Sequence, residues 1–328
     1  MLPWIGRFSV AAFRRAQHTL ALAPLVLPAS QTWANWLQAI NRAELLCRHG
    51  HYEIGLSEHS PAAMRRQAAA MARLGVRTEP VSAQQLSALQ GATGARVAAG
   101  LWFEDSAHVT DPLAAVQAFV RAAVERGALV LRSEVRALQP RGEQIEIHEA
   151  AGPRLVDAVV VCAGMGSQAL LAPFGLHAPL QSVRGYHIEM PGCAPYIDAP
   201  VLHTNEHLLV TPMAGRLRAS SYMEFAAEDA PADASKPASL RRKVRALGYA
   251  CDEAGPSWVG SRPVLPDYLP GIGRAPGSAR LFYAVGHQHI GLTMAPVTGD
   301  LIADLVAARP PRLPLQAFDL RRFGSPAV

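Results

Sequence analysis

The run Val156–Ala163, apolar except for Asp157, delivers the chain into Gly164-Met165-Gly166-Ser167, and this restricts the fold more than any other feature. A strand apolar on both sides is expected where both faces of a sheet are covered, which points to a layered α/β architecture. A second such junction comes late in the chain. The apolar strand Leu281–Val285 enters the turn Gly286–Gly291, and a helix follows to Ala308. Met294, Val297, Leu301, Ile302 and Leu305 make its buried stripe, with Asp300 and Asp304 outside, and Arg309-Pro310-Pro311 stops it. With 50% hydrophobic residues in 328, there is material for a large core.

The remaining pattern adds antiparallel strands and capped helices. Residues 183–225 alternate in polarity around a turn at Ala214-Gly215, and residues 226–237 read as a surface loop. Earlier, residues 31–46 predict a helix and His51–Leu56 a strand. Ser60-Pro61 opens a helix closed by Gly75, and Ser82 caps a short one ending near Gly91. Thr110-Asp111-Pro112 opens a helix that should bury Leu113, Val116, Phe119, Val120 and Val124 and stop at Gly127. Ala128–Leu131 and Ile145–His148 read as further strands. No internal repeat is present.

Charge excludes some partners. The net charge of +5 is spread over single arginines, so nothing resembles a nucleic-acid footprint. Arg241, Arg242, Lys243 and Arg245 form the densest cluster, read as a solvated helix face, with a weak membrane-surface contact as the alternative. The four cysteines, Cys47, Cys162, Cys193 and Cys251, have no CxxC spacing, so neither a zinc site nor a disulfide framework is expected. Cys162, inside the apolar run, reads as a buried, inert thiol. The first 43 residues hold no acid but carry Arg7, Arg14 and Arg15 before the apolar stretch Leu20–Leu27. A structural helix is the favoured reading there, an export or transit signal the lesser one, since Pro24 and Pro28 interrupt the stretch. A cytoplasmic protein is expected, with a peripheral position at the inner membrane face as the alternative.

Three glycine-bearing turns compete to bind a ligand. Ala163-Gly164-Met165-Gly166-Ser167 lies between strand and helix like a dinucleotide fingerprint, but it has no third glycine and no ribose-binding acid about 20 residues on. Trp258-Val259-Gly260-Ser261-Arg262-Pro263 through Pro270-Gly271-Ile272-Gly273 is stiffened by prolines. Arg262, held in such a loop, suits a bidentate grip on a carboxylate, or equally an ion pair with an aspartate such as Asp267. Gly286 through Thr293 places a helix N-terminus, with its free N–H groups, at the end of a buried strand. His287 and His289 lack a neighbouring acid or cysteine, so no metal site is expected.

Read in order, Asp111-Pro112, Val159-Val160-Val161-Cys162-Ala163-Gly164, Val183-Arg184-Gly185-Tyr186, Gly260-Ser261-Arg262-Pro263 with Pro266-Asp267, and Gly286-His287 with Gly291-Leu292-Thr293 resemble the D-amino-acid dehydrogenase and glycine oxidase family of FAD enzymes. The resemblance implies an α/β (α+β) chain: a glutathione-reductase-like FAD-binding domain, here incomplete, and a substrate domain built on an antiparallel sheet. The expected division is 101–177 with 258–328 for the cofactor, and 1–100 with 178–257 for the substrate. Val135 would contact the adenine, and Ala163 and Gly164 the ADP part. Gly286, His287, Ile290, Gly291, Leu292 and Thr293 would meet the flavin ring. Arg262 would bind the substrate carboxylate, with Tyr186 and Met223 as pocket walls; Arg262 and His287 are the residues expected in the catalytic centre.

The implied reaction is hydride transfer from the α-carbon of a D-amino acid or small secondary amino acid to flavin N5. The electron acceptor, whether oxygen, a quinone or a partner protein, is unspecified. The chain departs from the family in two ways: Gln288 follows His287 where a glycine is usual, and the N-terminal βαβ unit with its GxGxxG turn is expected to be missing. The alternatives are a non-catalytic truncated remnant, a subunit completed by a partner, and, more remotely, an exported binding protein.

Overall fold

The structure is a computed structural model that describes residues 2–94, 96–193, 198–249 and 255–324. Its largest element is an eight-stranded sheet. In spatial order the strands are Ser257–Val264, Gln181–Pro191, Arg216–Phe225, Leu208–Met213, Val201–His203, His51–Gly55, Ala99–Phe103 and Glu79–Pro80. All neighbours are antiparallel except Val201–His203 beside His51–Gly55. Two three-stranded sheets complete the α/β frame. One joins Gly271–Arg274, Leu281–Val285 and Val159–Val161, the other Val135–Arg141, Gln144–Glu149 and Gly152–Val156. Among the described residues no helix is long and apolar enough to cross a membrane.

Alternation along the long strand Gln181–Pro191 assigns its faces. Tyr186, Ile188 and Met190 point to one side, where Leu240, Val244 and Leu247 of the helix Ser235–Ala246 close a core with Leu208, Val210 and Ala219. Gly185, His187 and Glu189 take the other side. A second core, including Leu138, Ile145, Leu171, Leu265, Tyr283 and Leu320, ties the two small sheets together. A third buries Met294, Val297, Leu301 and Ile302 of the helix Gly291–Val306 against Leu25 and Phe282. Each such side chain contributes roughly 1.5–3 kcal/mol through burial.

Helix starts follow the local signals. Ser82 and Gln85 form a capping box at the helix Ala83–Thr93, and Asp111 caps Pro112–Glu125 by accepting from the Ala114 N–H. The first 43 residues form the helices Leu2–Ala12, Arg15–Val26 and Ala29–Ala39.

Several expectations are corrected. The helix Pro112–Glu125 buries Ala115, Ala118 and Ala122, while Leu113, Val116, Val120 and Val124 are exposed. Its alanine stripe is narrow enough to meet Trp33 and Leu37, and Phe119 lies edge-on to Trp33 at 5.7 Å. Residues 128–131 form no strand, because no neighbouring edge pairs their backbone; Leu129 is 86% exposed. The run Val156–Ala163 is divided: Gly152–Val156 pairs in one sheet and Val159–Val161 in another. The latter is an edge strand, so Val160 keeps solvent contact. Cys162 is exposed, and Cys193 is disulfide-bonded, its partner lying outside the described residues. The predicted loop 226–237 gives way to a helix at Ser235. Asp304 is buried, because Arg309 and Arg312 turn back onto its carboxylate.

Candidate active site

The strand Ser257–Val264 is where the two glycine turns meet. The 3-10 turns Gly164–Gly166 and Gln288–Ile290 both lie against it, and Val264 forms a β-bridge with His287. Arg262 is half-buried on this strand. Its Nη1 donates to the Tyr222 carbonyl at 3.0 Å. Asp267, the alternative partner in the sequence, is occupied elsewhere: Arg322 holds it at 2.6 Å, and no ion pair to Arg262 exists among the described residues. Burial lowers the Arg262 guanidinium from the ordinary arginine value, with nearby Tyr268 acting in the opposite sense. A half-buried cation without an anion is costly to hold empty and ready to accept one.

The strand register explains how the guanidinium is seated. Gly185 is paired with Gly260, and a Cβ on Gly185 would overlap the Arg262 guanidinium. Glycine inside a strand commonly marks such an approach. Across from Gly185 the neighbouring strand bulges, with two residues, Tyr222 and Met223, facing one. Tyr222 takes a left-handed backbone, φ 73°, which places its carbonyl on Arg262. Met223 stands exposed at the same bulge.

The turn before the helix Gly291–Val306 is held from several directions. Gly286 has φ 71°, a conformation open to glycine, and Leu265 packs where a Cβ would be. His287 donates or accepts through Nε2 with Thr298 Oγ1 at 3.1 Å, and burial pushes its imidazole down to about 4, so it is neutral at physiological pH. Trp33 Nε1 donates to the Leu292 carbonyl at 3.0 Å. Partial desolvation lowers the basicity of His289 and the positive charge of Arg262 adds to the shift, which places the two within electrostatic reach. The first helical turn carries no acid.

These groups fit the ring end of a flavin. Gln288, 6% exposed and in a left-handed conformation at φ 56°, has a side-chain amide nitrogen without a hydrogen-bond partner among the described residues. A buried orphan donor beside a helix N-terminus suits an electron-rich edge such as a flavin carbonyl. Gly286, His287, Ile290, Gly291, Leu292 and Thr293 would hold that ring.

Val135 begins the strand Val135–Arg141 and is exposed; Ala163 is exposed and Gly164, at φ 57°, faces open space. Tyr186 lies on the opposite side of its strand from Gly185. It is 2% exposed, its hydroxyl donating to Glu224 Oε2 at 2.7 Å and accepting from the Asp233 N–H at 3.1 Å. With Arg184, which binds Glu224 and the carbonyls of Ala230 and Pro231, it anchors the segment after the sheet instead of lining the Arg262 pocket. Gly185, Gln288 and Trp258 stand in motifs read from the sequence, but none was given a site role there. The intrastrand glycines 185 and 260 were the available signal.

A D-amino-acid oxidase of Bradyrhizobium diazoefficiens is 32% identical over 236 residues, covering 70% of this chain and 56% of its own length. A D-amino acid dehydrogenase of Paramagnetospirillum magneticum is 30% identical over 275 residues, covering 79% and 63%. The chain thus spans little more than half the length of these curated relatives. Glycine oxidase from Geobacillus kaustophilus superposes with a TM-score of 0.83 at 23% identity, over 92% of this chain and 83% of the other, which establishes the shared fold. The family model for FAD dependent oxidoreductases of the DAO type matches residues 5–305, and the chain belongs to that family.

Proposed function

We propose that this chain carries the carboxylate site and the ring-facing turn of a flavoenzyme that oxidises the Cα–N bond of a D-amino acid or small secondary amino acid. The observation that carries the reading is Arg262: a half-buried guanidinium with no acidic partner among the described residues, beside an acid-free helix N-terminus. In this reading 101–177 and 258–328 serve the cofactor and 1–100 and 178–257 the substrate. The strand Ser257–Val264 crosses that junction and delivers Arg262 to the turn.

When bound, FAD supplies a two-electron acceptor at N5 for the hydride leaving the substrate α-carbon. Arg262 grips the carboxylate through parallel N–H···O bonds, with Gly185 leaving room for the guanidinium. Fixing the carboxylate fixes which face of the α-carbon presents its hydrogen, an orientation effect. His287, neutral and tied to Thr298, keeps the turn in shape without adding a charge. The N–H groups of Gly291, Leu292 and Thr293 offer positive potential to the ring edge where electron density gathers. Loss of the amine proton gives an imino acid, which water converts to a keto acid and ammonia or an amine.

Replacement of Arg262 by methionine in the purified protein tests the reading. Loss of amino-acid oxidation with the visible flavin spectrum retained is the expected result; full activity would refute the role. A second reading, a subunit completed by another polypeptide, is favoured by the exposed apolar side chains Leu113, Val116, Leu129 and Val130.

A further inference from the structure

The sheet face that carries Arg262 continues beyond it. By register, Val183 and Phe225 share the row of Arg262, and Gly185 and Gly260 make the next. Leu209, Ser220, His187 and Trp258 then line up across four strands. The middle row is the seat of two large side chains. Neither glycine has a side chain, and the space above them is entered from both ends: Arg262 reaches over Gly185, while the six-membered ring of Trp258 reaches over Gly260. The two paired glycines thus seat a cation and an indole side by side on this face.

Trp258 is 58% exposed, an unusual position for the largest apolar side chain, and its partner is aromatic as well. His187 stacks on it at 5.1 Å between ring centroids and 22° between planes. Burial, reinforced by the positive charge of Arg218, pushes the His187 imidazole down to about 4, so the stacked pair is uncharged at neutral pH. Leu209 is also partly exposed on this row.

The charges beyond that row are closed among themselves. Glu189 accepts from Arg216 Nε and Arg218 Nε, each at 2.7 Å, Asp111 lies 3.9 Å from Arg216, and His187 Nε2 lies 3.4 Å from Glu189. The charges on this side of Trp258 are therefore paired among the described residues, and the unpaired Arg262 lies on its other side. A charged or strongly polar substrate side chain would lose water there without gaining a partner. A flat apolar one gains a ring to lie on.

We propose that Trp258, braced by His187, is the specificity wall of the site, and that the substrate is an amino acid with an aromatic side chain stacked on the exposed indole beside Arg262. The proposal rests on the assignment of Arg262 to the substrate carboxylate. Distance favours it: carboxylate and ring in an aromatic amino acid are separated by a short linker, and here the guanidinium and the indole approach the same glycine pair from opposite ends.

The two assignments separate in a binding experiment that needs no turnover. Benzoate and acetate are titrated calorimetrically into the full-length protein, its Trp258→Ala and Trp258→Phe variants, and Arg262→Met. Benzoate should bind roughly fivefold more tightly than acetate, the worth of about one aromatic pair. Trp258→Ala should bring that ratio to about one, Trp258→Phe should keep most of it, and Arg262→Met should lose both ligands. An unchanged benzoate-to-acetate ratio in folded Trp258→Ala overturns the wall while leaving the carboxylate site standing. Absence of binding by both carboxylates overturns the Arg262 assignment, and the wall with it.

Discussion

Arg262 is placed by what its neighbours lack. Gly185 has no side chain, Asp267 is already paired, and among the described residues the guanidinium donates to the carbonyl of Tyr222, held outward by a left-handed residue. Gly185→Ala should therefore push the guanidinium off its seat while sparing the core around Tyr186, Ile188 and Met190, which lies on the other face of the strand. The expected outcome is a carboxylate affinity at least about tenfold weaker with a melting temperature near that of the parent, read by calorimetry and circular dichroism. Arg262→Lys should also fail to restore binding, losing roughly 2 kcal/mol, since an ammonium cannot reproduce the planar fork. The sequence made Arg262 a candidate but left its partner open. The deciding contact comes from Arg322, 55 residues beyond Asp267, and no local pattern reports a pairing at that distance.

At the scale of elements, the proline-rich segment after Arg262 is a scaffold. Arg322 grips Asp267 through Nε and reaches the carbonyls of Leu269 and Pro270 with Nη2. Asp267 and Arg322 keep only 13% and 17% of their side-chain surfaces in solvent. Asp267→Ala should thus leave a largely buried cation unpaired and destabilise the protein by about 3 kcal/mol, visible as a lower denaturant midpoint. A shift below about 0.5 kcal/mol would show that the segment is fixed by its prolines alone. Caps and glycine stops were legible in the sequence because they are local: Ser82, Asp111, Gly75 and Gly127 all act within one turn of their helices. The buried face of Pro112–Glu125 was not. That helix carries both an alanine and a branched-aliphatic stripe, and the choice between them is made by Trp33 and Leu37, far away in sequence. Tyr186 was misplaced for a related reason, since alternation gives two faces and only the position of the helix Ser235–Ala246 says which is core.

For the molecule as a whole, buried histidines tie stability to pH. His203 is fully buried, bonded through Nε2 to the Tyr249 hydroxyl at 2.9 Å, and burial pushes it down to about 4 from an ordinary 6.5. Between those values the unfolded chain binds a proton that the folded chain refuses. Stability is therefore complete above pH 6.5 and falls on acidification toward pH 4, by up to about 1.4 kcal/mol per pH unit for each such histidine. Urea midpoints across this window should decline with acid, and His203→Gln should flatten the decline; an equal slope in both proteins would contradict the assignment.

The α/β class, the antiparallel sheet and the two strand-to-turn junctions were readable because polarity alternates or fails to alternate over whole strands. The exposed edge at Val159–Val161 was not, because a uniformly apolar strand looks the same whether one or two neighbours flank it.

The central claim is that Arg262 and the turn from Gly286 to Thr293 border one flavin ring. It is tested most directly by the visible flavin spectrum of the full-length protein during titration with benzoate. A carboxylate seated on Arg262 should perturb that spectrum saturably, and Arg262→Met should retain the flavin but lose the perturbation. A protein that binds FAD and benzoate with no change in the flavin band would place the two sites apart and contradict the account.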